Sequence, residues 1–166
     1  MTNQETNPQP LWQSIIDKAY AKWQTNSNQT YEDFQESLDD ISRSAVALKN
    51  LNYQVSNGGY CQWQVNGYDI DADVLEETLE KINTHASRAI LETMNNFCLT
   101  FDSRKEVQDE LKRAIRNCDL LEDYIDDFLQ VLDDRYDSDI EVFDSKFFDN
   151  NEELMIDIEN WLKAQL

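Results

Sequence analysis

Glycine and proline are nearly missing from this chain, with three and two among 166 residues. So few turn formers argue against a sheet with many tight turns and favour long helices. Histidine occurs once, as His85, so a zinc or di-iron site built on histidines is not expected. The three cysteines (Cys61, Cys98 and Cys118) are widely spaced, with no CxxC pair or His/Cys cluster. Neither a disulfide framework nor a zinc site follows, and buried, reduced thiols are the expectation. Reduced thiols fit a cytoplasmic protein. No run of about 18 apolar residues occurs, so no membrane-spanning helix is predicted. The opening MTNQETNPQP lacks the basic and apolar regions of a signal peptide.

Positive charge is the largest deficit. Fourteen Lys and Arg face 34 Asp and Glu, for a net charge of −20. Solubility of a small domain needs only roughly 2–8 charges. The excess self-repulsion destabilises the folded state, so a use for it is expected. Binding cations, binding basic proteins and tolerating high salt are the candidates. The same charge argues strongly against direct binding of nucleic acid or of an anionic membrane.

What is present is enough for a core. Apolar residues make up 40% of the chain, with four Trp, seven Tyr and seven Phe, whereas a disordered acidic chain is poor in aromatics. The expected fold is all-α: one multi-helix bundle with a strongly acidic surface, spanning 10–166 behind a flexible polar tail at 1–9. A first helix starts near Pro10, where the missing N–H costs little. Its stripe is Leu11, Trp12, Ile15, Ile16, Ala19, Tyr20 and Trp23. Thr30 and Asp33 suggest a capping box opening a second helix through Phe34, Leu38, Ile41, Ala45, Leu48 and Leu51. A short segment follows at 57–67, then a helix over about 72–82 and another capped by Thr84. Capping-box patterns at Ser103/Glu106 and Asp149/Glu152 predict two further helix starts. Residues 119–134 read as a helix, with 136–148 open between loop and short strand.

The acids are concentrated near the end of the chain. Residues 119–159 hold 16 acids against two bases, Arg135 and Lys146, a net −14. Helical spacing over 119–134 puts most acids on one face and Leu121, Tyr124, Ile125, Phe128, Leu129 and Leu132 on the other. Acids one turn apart lie about 5 Å apart along the axis. Phosphates along a DNA strand have a similar spacing, and the duplex carries about one charge per 1.7 Å. The candidate partner-binding carboxylates are Asp119, Glu122, Asp123, Asp126, Asp127, Asp133, Asp134, Asp137, Asp139, Glu141 and Asp144. A charged helix face is ordinarily just solvated. Here no Lys or Arg neutralises the row from 119 to 134, and like charges one turn apart weaken a helix.

The run Asn57, Gly58, Gly59, Tyr60, Cys61, Gln62, Trp63, with Asn66 and Gly67 behind it, resembles the signature of a bacterial family of DNA mimic proteins. That signature reads NGG, aromatic, any residue, Gln, aromatic, then Asn-Gly. The resemblance runs from about the second helix onward. It implies a small, acidic, helical homodimer that displaces DNA from basic DNA-binding proteins, such as a helix-turn-helix transcription factor or a histone-like HU protein. The motif residues themselves read as structural. Asn57 can cap a short helix, Gly58 and Gly59 admit a second helix close to the backbone, Tyr60 and Trp63 fill the core, and Gln62 ties down a loop.

Other chemistry has weaker support. Asp69, Asp71, Asp73 and Glu80 match four positions of a calcium-binding EF-hand loop, but Val74 replaces the glycine of its sharp turn. The acids at 133–141 also lack a loop glycine. No phosphate loop, nucleophile elbow or marked acid/base pair is present, so no enzyme, cofactor or metal is expected. The alternatives to a DNA mimic are a cation-binding or buffering protein, or an inhibitor or immunity protein for one basic enzyme.

Overall fold

The computed structural model describes residues 9–25, 28–115 and 122–166, with the backbone alone described at 111–112, 114–115, 122–129 and 131–133. The fold is all-α. The order is α1 (Leu11–Gln24), α2 (Tyr31–Glu36), α3 (Asp40–Val65), a 3-10 turn (Tyr68–Asp71), α4 (Ala72–Ile82), α5 (His85–Ile115) and α6 (Glu122–Gln165). No strand occurs among the described residues.

Local chemistry explains most of the boundaries. Thr30 and Asp33 close the expected capping box, each side chain accepting the other's backbone N–H at 3.1 Å. Thr84 accepts the N–H of Ser87, and the Ser87 hydroxyl accepts that of Thr84. The second helix differs from expectation: it stops at Glu36, and Asp39 caps a new one by accepting Ser42 N–H at 2.9 Å. The patterns at Ser103 and Asp149 start nothing, because α5 and α6 run straight through them. An acid three residues after a Ser or Asp also arises on any polar helix face. Residues 136–148 are helical, inside a 44-residue α6 about 66 Å long.

The core lies around α3. Ala45, Val46, Ala47, Leu48, Leu51 and Val55 are fully buried along it. Trp12 and Ile16 of α1, Leu75 and Leu79 of α4, and Ile90, Met94 and Phe97 of α5 pack into the same cluster. From α6 come Ile140, Phe147, Leu154, Ile158 and Leu162. A smaller cluster of Ala19, Phe34, Leu38 and Val46 seals the end near α2, with Trp23 stacked on Phe34 at 4.6 Å.

The motif at 57–63 is not a separate short helix. It breaks α3 in two, with non-helical torsions at Gly58 and at Gly59, whose φ is 73°. Asn57 therefore caps no new helix. Its amide instead donates to the Tyr53 carbonyl at 2.7 Å, closing the turn before the break. Tyr60 and Trp63 are fully buried, as expected, with Tyr60 stacked on Phe97 at 5.3 Å. Gln62 donates to Gln54, which also accepts from Asn66, so the side chain ties the end of α3 back to its middle.

Candidate partner-binding surface

The inner side of α6 follows a repeat of four and three residues: Ile140, Asp144, Phe147, Asn151, Leu154, Ile158. Four of these are buried hydrophobics at 0–6% exposure. That spacing defines one helix stripe. The two polar members sit on a seam that otherwise packs on the core.

The outer side is acidic. Asp134, Asp137, Asp139 and Glu141 are exposed, as are Asp149, Glu152 and Glu153 beyond the predicted set. Asp119 lies outside the described residues. Of Glu122, Asp123, Asp126, Asp127 and Asp133 only the helical backbone is described. At 3.6 residues per turn, 123, 127, 134 and 141 share one face over about 27 Å of axis. Among the described residues, one ion pair and one amide hydrogen bond reach these exposed acids. Arg104 of α5 lies 3.5 Å from Asp137, and Gln130 donates to Asp134 at 2.8 Å. A cleft of about 360 Å³ lies between α5 and α6, lined by Leu99, Thr100, Ser103, Arg135, Tyr136 and Asp139.

Asp144 differs from the other predicted carboxylates. It is half-buried, and its Oδ1 accepts the backbone N–H of Tyr60 at 2.8 Å. Burial holds its pKa above the usual carboxylate value, partly offset by that hydrogen bond. Glu159 plays a comparable part that the sequence reading missed. Its two carboxylate oxygens accept Leu11 N–H and Trp12 N–H, each at 3.0 Å, and so cap α1, whose own first turn has no acid. Those hydrogen bonds hold its pKa below the ordinary glutamate value.

The second missed feature is a buried polar network. Tyr31 donates to Asp71 at 2.5 Å and accepts from Gln35 at 2.6 Å and Asn50 at 2.7 Å. Gln35 also donates to Asp71 at 2.9 Å, and Tyr20 donates to Asn50 at 3.1 Å. Desolvation pushes Asp71 up to about 6 despite two hydrogen bonds that favour its charged form. The EF-hand match dissolves here: Asp71 faces this network, Asp69 accepts from Gln64, and Asp73 and Glu80 are exposed on α4. Among the described residues no three His, Cys, Asp or Glu are grouped to hold a metal ion.

Cys61 and Cys98 are free and half-buried rather than fully buried, and Cys118 lies outside the described residues. Desolvation raises both thiols, Cys98 to about 11, so neither is an activated nucleophile at neutral pH. His85 is exposed at the start of α5. No helix among the described residues is long and apolar enough to cross a membrane.

These features define an all-α protein that displays a long helix with carboxylates along its outer side. The sequence model of the DMP19-like protein family matches residues 36–165, and the chain belongs to that family. The family is one of non-enzymatic DNA mimics. The match spans α3 to α6 with the end of α2, leaving α1 outside it. Neither a search of curated proteins nor one of solved structures returned a match.

Proposed function

We propose that this protein is a DNA mimic that occupies the DNA-binding face of basic proteins and blocks their access to DNA. The observation that carries the reading is the series of exposed, largely unneutralised carboxylates on α6 in a chain of the DMP19-like family. A helix-turn-helix transcription factor or an HU-like protein is the fitting partner, since such proteins meet DNA through cationic side chains. The consequence is altered transcription or nucleoid packing in the cytoplasm, and the acting species is a homodimer. The contact set is Asp119, Glu122, Asp123, Asp126, Asp127, Asp133, Asp134, Asp137, Asp139 and Glu141.

Charge reversal tests this assignment. The triple variant D134K/D139K/E141K alters only exposed positions, so its circular dichroism and melting should resemble the parent's. Its affinity for an HU-type protein should fall at least about tenfold at low salt, as expected when an attractive charge pattern becomes repulsive. Unchanged affinity would show that these exposed carboxylates of α6 are not the contact.

A further inference from the structure

The glycine pair and the acidic helix meet at one point. Gly58 and Gly59 interrupt the α3 hydrogen-bond ladder, so Tyr60 begins a new turn whose amide needs an acceptor. Asp144 supplies it from 84 residues away at 2.8 Å. Gly59 has φ 73°, and a Cβ there would collide with the Asp144 carboxylate. The niche left by the missing side chain is therefore filled by α6. Asp144 sits on the inner stripe between Ile140 and Phe147, which are buried hydrophobics with no directional demand. One polar group in such a seam specifies register at a cost in stability. Sliding α6 by one turn would carry the carboxylate about 5.4 Å away and leave the Tyr60 N–H without its acceptor.

We propose that Asp144 is a positioning residue: it locks the register of α6 on the glycine break and so sets where the exposed carboxylates stand, without touching the partner. The functional half of this proposal rests on the DNA-mimic reading. It gives the Asn57–Trp63 motif a role in that reading, as the receptor for the acidic helix.

Three full-length variants test it: D144N, which keeps an acceptor oxygen and loses the charge, D144A, which loses both, and D139N, which removes one exposed charge. The two measurements are Tyr60 amide exchange by NMR and the salt dependence of binding to an HU-type protein. D144N should keep the parent's salt slope, whereas D139N should shorten it by about one contact, because each partnered charge adds to that slope. D144A should speed Tyr60 exchange about tenfold or more, the effect of losing a charge-assisted hydrogen bond. Its binding should weaken, with D144N restoring it. A D144N slope reduced as in D139N would make Asp144 a contact and overturn the proposal. Unchanged Tyr60 exchange in D144A would overturn the lock. If the parent does not bind the HU-type protein, the functional half falls with the mimic reading, while Tyr60 exchange still decides whether the lock exists.

Discussion

Asp71 is only 2% exposed, and desolvation raises its pKa to about 6. In the unfolded chain an aspartate titrates near about 3.9. The folded state therefore holds the proton more tightly. Asp71 contributes stability that is complete below about pH 4 and is lost as pH rises through about 6. The amplitude is on the order of 2–3 kcal/mol. Melting temperatures of the parent and D71N across that window isolate the effect, since relief of general repulsion in acid is common to both. The parent should lose stability relative to D71N between pH 4 and 6, and parallel curves would contradict the burial argument. Gly59 and Gly67 make a second paired test. Both have positive φ, 73° and 77°, but only at Gly59 would a Cβ collide with another side chain. G67A should cost about 1–2 kcal/mol, the left-handed penalty alone. G59A should cost on the order of 2–4 kcal/mol, because strain and overpacking add. Urea denaturation distinguishes the two, and equal losses would mean that the Asp144 contact contributes nothing.

At the level of elements, helix termini show which features the sequence carries locally. Thr30 and Thr84 cap from within three residues, so their motifs are readable in the chain. Asp144 and Glu159 serve N–H groups 84 and 147–148 residues away, and nothing nearby marks them among the acids around them. The one available signal was the repeat of four and three from Ile140 to Ile158, which becomes visible only when Asp144 and Asn151 are counted as inward positions. Reading those two as surface breaks the period and leaves the mixed acidic and aromatic run 136–148 open between loop and short strand. The stop after Glu36 was hidden for a related reason. Phe34, Leu38, Ile41 and Ala45 keep helical spacing across the break at Asp39. The all-α class and the aromatic core around Tyr60 and Trp63 were legible because both follow from composition and period. The cap by Glu159 yields its own prediction. E159A should destabilise by about 1–2 kcal/mol and raise amide exchange at Leu11 and Trp12, with E159Q intermediate. Unchanged exchange at those amides would show that α1 starts without that cap.

For the whole molecule, a net charge of −20 acts in two opposite directions. Self-repulsion weakens the fold, and salt screens it over about 8–10 Å at physiological ionic strength. The melting temperature should therefore rise between about 10 and 150 mM salt. A fall in that range would mean that attractive pairs dominate. The same screening should weaken attachment to a basic partner. A protein that becomes more stable as its binding fails is the signature of charge kept for recognition. The most direct test of that claim is capture from bacterial lysate at low salt on the immobilised protein, followed by elution with duplex DNA and mass spectrometry. DNA should release a basic DNA-binding protein, and the D134K/D139K/E141K variant should not retain it. Retention of proteins that DNA does not release, or equal retention by the reversed variant, would contradict the claim that these carboxylates stand in for phosphates.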